Sequence, residues 1–67
     1  MISILLNGQS HEFDPSITIQ ELIVHLQLQP TLYLVEVNQT ALFRSEWETK
    51  KIETGDQIEI IRVVAGG

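Results

Sequence analysis

The first thirteen residues alternate between two sets of side chains in a way that predicts a β-hairpin. In the segment ISILLN, Ile2, Ile4 and Leu6 fall on one side of an extended chain, as expected for a strand with one buried face. Asn7-Gly8 follows, and this dipeptide favours a two-residue hairpin turn. A second strand is predicted to run to about Phe13, because the segment DPS then interrupts the pattern.

A helix is predicted after this interruption. Thr18 and Glu21 have the spacing of a capping box, in which each side chain bonds the backbone N–H of the other residue. Apolar residues then recur at the spacing of one helical face, and we expect that face to be buried. The members of this stripe are Ile19, Leu22, Ile23 and Leu26. Pro30 is expected to end the helix.

The second half of the chain predicts further strands. Tyr33, Val35 and Val37 alternate with other residues and should face the core. A short strand is expected at 41–43, and a last strand at 57–64 follows the Gly55-Asp56 turn.

Between these strands, Ser45 and Glu48 repeat the capping-box spacing. So few residues follow that only about one helical turn fits. Trp47 lies in this segment, and we expect it to close an edge of the core rather than to anchor a partner.

The order of these elements predicts an α+β fold, with one main helix packed across one face of a mixed sheet of four to five strands. The helix is a crossover long enough to bring the last strand beside the first in parallel, and these two apolar strands should be central. Residues 1–64 form the single domain in this interpretation, and residues 65–67 form a flexible Gly-Gly tail.

Composition limits the chemistry that so short a chain can perform. The 67 residues include no cysteine, which excludes disulfides and thiolate sites. Nine acidic residues face four basic ones, and the first basic residue is Arg44, so nucleic acid is not an expected partner. The apolar runs are too short for a membrane helix, and we expect a cytoplasmic protein. His11 and His25 are too far apart to suggest a metal site.

One group of apolar residues predicts a surface for a partner. If Ile58 and Ile60 face the helix, the alternating residues of the same strands must face away from it. A single helix cannot cover both faces, so we expect a contiguous docking patch beside the tail. Its members are Leu5, Leu34, Ile61 and Val63. The alternative is that these are ordinary scattered apolar residues on a protein surface.

Several motifs together resemble the ThiS family of sulfur carrier proteins in thiamine biosynthesis, which have the β-grasp fold of ubiquitin. They are T-x-x-E-L at 18–22, VNQ at 37–39, Arg44 with Trp47, GDQIEI at 55–60 and VAGG at 64–67. The resemblance covers the whole chain. Phe43 departs from it, since relatives often have proline before the arginine, and this leaves the shape of that edge open.

The resemblance implies that Gly67 is the site that carries sulfur. A terminal carboxylate is ionised and unreactive at neutral pH, so a ThiF-like adenylating enzyme would activate it with ATP. A sulfur donor protein would then form a thiocarboxylate, and thiazole synthase would accept the sulfur. Ala65 and Gly66 would let the tail thread a narrow channel. The chain itself would be a cosubstrate without a bound cofactor rather than an enzyme, and a monomer when free.

Three alternatives remain open at this point. A ubiquitin-like modifier would join Gly67 to a lysine of another protein. A plain interaction domain would make no use of its two glycines. A molybdopterin-cofactor carrier would perform the same sulfur chemistry for another pathway, although that family tends to be longer.

Overall fold

One α-helix lies across a five-stranded mixed sheet in the computed structural model, which describes residues 1–13 and 17–63. The strands are β1 (Ile2–Leu6), β2 (Gln9–Phe13), β3 (Tyr33–Val37), β4 (Thr40–Leu42) and β5 (Gln57–Arg62), and the helix is α1 (Ile19–His25). The order across the sheet is β2-β1-β5-β3-β4. Strand β1 pairs with β5 in parallel, and the other neighbours are antiparallel. The predicted mixed sheet with one main helix is confirmed.

Both hairpins of the sheet turn on two residues in left-handed backbone conformations. Asn7 and Gly8 have φ angles of 49° and 81°, and Asn38 and Gln39 have 52° and 70°. Positive φ at both central positions matches the twist of the flanking strands. The first turn was predicted from its Asn-Gly dipeptide. The second was not, because glutamine seldom adopts this conformation.

The start of α1 has the predicted capping box. The Glu21 N–H donates to Thr18 Oγ1 at 3.1 Å, and the Thr18 N–H donates to Glu21 Oε1 at 2.8 Å. The backbone bond from Thr18 is the main cause that lowers the pKa of Glu21, followed by the Thr18 hydroxyl and the charge of Lys51. Each bond satisfies an amide that the first helical turn leaves without a partner.

The end of α1 differs from the prediction. The helix ends at His25, and Gln27 has a φ of 59°. The N–H groups of Gln27 and of the next residue donate to the carbonyls of Val24 and Ile23, at 3.0 and 3.2 Å. These two bonds form a Schellman motif, which closes a helix with a left-handed residue. The prediction that Pro30 ends the helix was therefore wrong, and Pro30 instead begins a short 3₁₀ turn.

The second predicted capping box is also wrong in detail. A single 3₁₀ turn covers Arg44–Glu46, so the expected length is right. The Glu46 carboxylate, however, accepts the N–H of Phe43 at 2.8 Å, and Ser45 and Glu48 do not form a box. Phe43 has a φ of −70°, which proline also adopts. The backbone at this edge thus keeps a shape that proline would allow.

The core lies between α1 and the inner face of the sheet. Among the described residues, eleven apolar side chains are buried: Ile2, Ile4, Leu6, Ile19, Leu22, Ile23, Val35, Val37, Trp47, Ile52 and Ile58. Leu26 packs against this cluster at its edge, so the predicted apolar stripe of the helix is confirmed. Trp47 is 1% exposed, as expected for a residue that closes the core, and the Arg44 guanidinium lies 5.2 Å from the centre of its ring.

Candidate functional site

Strand β5 is the central strand and is held on both sides. On one side, the Leu5 N–H donates to Asp56 O at 3.0 Å and the Asn7 N–H to Ile58 O at 2.8 Å. On the other side, β3 pairs along the whole strand, and the Val63 N–H donates to Leu32 O at 2.8 Å. The direction of the chain is therefore fixed as far as Val63.

The side chain of Asn7 extends the pairing of β1 with β5 beyond the end of β1. Its Oδ1 accepts the Ile60 N–H at 2.8 Å, and its Nδ2 donates to Ile60 O at 3.4 Å. The side-chain amide thus takes the place of one more peptide group in the parallel ladder. Sequence reasoning assigned Asn7 to the turn alone, because nothing local indicates a bond to a residue 53 positions away.

The turn before β5 is held by a buried carboxylate. Asp56 accepts the Glu53 N–H at 2.8 Å and the side-chain amide of Asn38 at 3.1 Å. Asn38 in turn accepts the Gln57 N–H at 2.9 Å. These bonds tie the β3–β4 hairpin to the start of β5, and they give a structural role to Asn38 of the VNQ motif and to Asp56 of the GDQIEI motif.

The structure places all four residues of the predicted docking patch on the surface. Leu34, Ile61 and Val63 are 56%, 41% and 43% exposed, and Leu34 lies directly opposite Ile61. We refer to Leu34, Ile61 and Val63 as the apolar triad. It lies on the face of the sheet opposite α1, at the C-terminal end of β5, which we call the open face.

Leu5 is not continuous with the apolar triad, so the expectation of one contiguous patch was wrong. Leu5 is 41% exposed but pairs with Gln57, four positions before Ile61, a separation of about 13 Å along a strand. Glu59 projects on the same face between them. Leu5 instead lines a shallow depression together with Gly8, Gln57, Ile58 and Glu59. The alternation correctly predicts that Leu5 faces away from the core. Its distance from Ile61 depends on the register of β1 against β5, which neither strand's sequence indicates alone.

Two carboxylates lie directly opposite each other beside the apolar triad. Glu36 of β3 pairs with Glu59 of β5. The bonds from Asn38 N–H to Gln57 O and from Val63 N–H to Leu32 O make this a hydrogen-bonded pair, so the Cα atoms are about 5.5 Å apart. Within the part of the chain that the structure describes, neither carboxylate has a hydrogen bond or an ion pair. Sequence reasoning missed this pair.

The two histidines pack around one aromatic ring. His11 stacks on Phe13 with ring centres 6.4 Å apart, and His25 meets the same ring edge-on at 5.7 Å. Across residues 1–13 and 17–63, no group of three or more His, Asp or Glu side chains could hold a metal ion. No helix in the same ranges is long and apolar enough to cross a membrane.

The tail residues Ala65, Gly66 and Gly67 lie outside the described residues. Their predicted roles in threading and in carrying sulfur remain predictions. The described structure supplies the strand that leads to them and the surface around that strand.

Comparisons with known proteins identify the family. The model of the ThiS family matches residues 4–67. The sulfur carrier protein ThiS of Escherichia coli is 30% identical over 66 residues, covering 98% of this chain and 100% of that protein. A thiazole synthase of Magnetococcus marinus is 29% identical over 66 residues, which cover 98% of this chain but 20% of that protein.

The fold leads to the same family. The crystal structure of the thiamine biosynthesis protein ThiS from Geobacter metallireducens superposes with a TM-score of 0.87 at 26% identity, covering 98% of this chain and 100% of that one. Its agreement extends over the whole sheet and helix, so the fold is a β-grasp. The chain therefore belongs to the ThiS family, the small sulfur carrier proteins of thiamine biosynthesis.

Proposed function

We propose that this chain carries sulfur as a thiocarboxylate on Gly67 and delivers it for thiazole formation. The observation that carries the proposal is the match to a sulfur carrier protein over that protein's full length. The chain supplies the reacting carboxylate, and partner enzymes supply the catalysis. It binds no cofactor of its own in this proposal, and it acts in the cytoplasm, where ATP is available to its partner.

The proposed chemistry has three steps. A carboxylate oxygen of Gly67 attacks the α-phosphorus of ATP in the active site of a ThiF-like adenylating enzyme, and pyrophosphate leaves. A sulfur atom from a donor protein then attacks the acyl carbon, and AMP leaves. The attacking atom is the outer sulfur of a persulfide on the donor, so the product is an acyl disulfide. A second thiol then attacks the donor's own sulfur and forms a disulfide with it, and the thiocarboxylate leaves with the electron pair of the broken S–S bond. Activation is needed because a carboxylate at neutral pH resists nucleophiles.

The anchoring of β5 supports this role. The strand is paired on both sides and its last described bond is that of Val63. Four residues follow Val63, and covalent geometry limits their span to about 14 Å. An enzyme that acts on Gly67 must therefore approach the end of β5 closely. Ala65 and Gly66 carry little or no side chain, which suits passage through a narrow channel.

Thiazole synthase is the proposed acceptor of the sulfur. The support is the thiazole synthase of Magnetococcus marinus, in which a segment similar to this chain forms about a fifth of the polypeptide. A covalent link raises the effective concentration of one module near the other, which is useful where the two work in sequence.

The apolar triad is the proposed contact for the adenylating enzyme. It adjoins the end of β5, and α1 lies on the other face. Ile61→Asp should weaken binding to that enzyme while the fold stays intact, because the side chain is outside the core. Val24→Asp is the matched control, since Val24 is 63% exposed on α1. Calorimetric titration that gives equal affinities for both variants in the folded state would exclude the triad as a contact.

Mass spectrometry tests the sulfur chemistry directly. Protein incubated with ATP, a ThiF-like enzyme and a sulfur donor should gain the mass expected when sulfur replaces one carboxylate oxygen, and fragmentation should locate the change at Gly67. A variant with one alanine appended after Gly67 should show no such gain, because the added residue displaces the reacting carbon. If the appended form accepts sulfur equally well, or supports growth without thiamine after trimming is excluded, the proposal fails.

The same experiment separates the alternative functions. A protein modifier would appear in cell extracts as larger species with Gly67 bonded to a lysine amine. A carrier for molybdopterin would accept sulfur but would not release it to thiazole synthase in a single-turnover reaction.

A further inference from the structure

We infer that the open face of the sheet receives a basic side chain of the adenylating enzyme between Glu36 and Glu59, beside the contact made by the apolar triad. The inference rests on the proposed function and adds the chemistry of the partner's surface. It identifies Glu36 and Glu59 as residues that determine specificity, although neither touches the reacting carboxylate.

The first observation is an electrostatic cost. Like charges directly opposite in an antiparallel pair destabilise a sheet. Glu36 and Glu59 occupy such a pair on β3 and β5, and neither forms an ion pair with a cation among the residues that the structure describes. Arg62 is the nearest cation along β5, but it follows Ile61 and so projects to the other face. The repulsion is therefore not relieved within the described chain, and a cation from outside would relieve it.

The second observation is the arrangement of this charge relative to exposed apolar surface. The Leu34–Ile61 pair lies two residues away from this pair, toward the C-terminal end of β5, a distance of about 7 Å. A partner that contacts both the carboxylate pair and the exposed apolar pair would present an apolar side chain next to an arginine or lysine. Arginine fits best, because its planar fork can donate to two carboxylates at once.

A second copy of this chain does not fit the same surface. Two open faces in contact would bring four carboxylates together, and the chain already carries a net charge of −5. Like-charge contact of this kind suppresses wrong partners. Charge complementarity thus favours a basic enzyme surface as the occupant.

The test measures binding of the purified ThiF-like enzyme of the same organism to single glutamine variants. Glu36→Gln and Glu59→Gln should each weaken binding about 10-fold, the size expected for loss of one charge-assisted contact. The double variant should weaken it by less than the product of the two, because both carboxylates share one cation. Glu48→Gln is the matched control, since Glu48 is exposed and lies outside the sheet, and its affinity should stay within about two-fold of that of the native chain.

Further readouts distinguish the possible failures. Added salt should weaken binding of the native chain more than that of the double variant. The variants should unfold at the same urea concentration as the native chain or a higher one, since a repulsion is removed. Unchanged affinity in folded variants, or a native dimer that Ile61→Asp dissociates, would overturn the inference. Neither result would change the mass gain at Gly67 in the native chain, so the proposed function would stand. If the native chain instead binds the enzyme tightly but shows no mass gain, the proposed function fails and the inference about the surface does not.

Discussion

Truncation of Leu22 tests the assignment of the two faces of the sheet. Leu22 is fully buried between α1 and the inner face, so Leu22→Ala removes three carbon atoms from a closed core and leaves a cavity. Such changes cost about 2–5 kcal/mol. A chain of this length has a free energy of unfolding of about 3–10 kcal/mol. Leu22→Ala should therefore remove a large share of the total stability.

Leu5→Ala is the matched comparison on the open face. The same atoms are removed, but Leu5 is 41% exposed and part of its surface is already in water. Complete burial of a leucine side chain is worth about 1.5–3 kcal/mol, and the partly exposed Leu5 should cost about 1 kcal/mol. The two variants thus differ through burial and not through chemistry.

Urea denaturation measures both costs. Circular dichroism follows the helix and sheet, and the fluorescence of the buried Trp47 follows the core. If Leu22→Ala fails to fold, Ile23→Val provides a milder change at a neighbouring buried site, with an expected cost of about 0.5–1.5 kcal/mol. A larger loss for Leu5→Ala than for the buried variants would refute the assignment of the faces.

Three further changes test the hydrogen bonds that fix the elements. Thr18→Ala should cost about 0.5–2 kcal/mol in urea denaturation, because α1 loses its cap. Glu21→Gln keeps an acceptor for the cap but removes a carboxyl whose pKa is lowered in the folded state. The native chain should therefore lose more stability than this variant as the pH falls from about 4.5 through the lowered pKa, and equal acid denaturation curves would contradict this. Asp56→Ala should cost about 1–3 kcal/mol or more, because the Glu53 N–H and the Asn38 amide lose their acceptor, and a thermal midpoint equal to that of the native chain would contradict this.

Much of the fold follows from local patterns that act within a few residues. The period-two alternation of β1 and the capping box of Thr18 and Glu21 are both patterns within a few residues of sequence, and both were predicted correctly. The apolar stripe of α1 was equally clear, because a helical period is independent of what packs against it. These signals place the elements and decide which face of each is buried.

The features that were missed depend on tertiary pairing or on unusual residues. Gln27 adopts the left-handed conformation that ends α1, although glycine or asparagine is the usual signal. The bonds of Asn7 to Ile60 and of Asn38 to Asp56 join residues distant in sequence. No local pattern indicates such partners. Asn7 and Asp56 were therefore predicted only as turn residues, and Asn38 only as part of a strand.

The candidate site also combines features that follow from local patterns with features that depend on strand pairing. Alternation correctly predicted that the docking residues leave the core, because exposure depends on the face alone. Their continuity depends on the stagger between strands, and the parallel register of Leu5 with Gln57 separates Leu5 from Ile61. The opposition of Glu36 and Glu59 likewise exists only once β3 and β5 are paired in one register.

The contrast between the two faces of β5 is the strongest physical argument for a partner on the open face. On its inner face and at its edges, β5 is stabilised by the core, by the amide of Asn7 and by the turn at Asp56. On its outer face, Glu59 of β5 lies opposite Glu36 of β3 with no ion pair among the described residues, and the apolar side chain of Ile61 is exposed. Local choices in a protein ordinarily agree with its fold, and conflicts concentrate where function requires them. Because β5 is otherwise well hydrogen-bonded and packed, the repulsion between Glu36 and Glu59 is best explained by a cation that arrives with the partner.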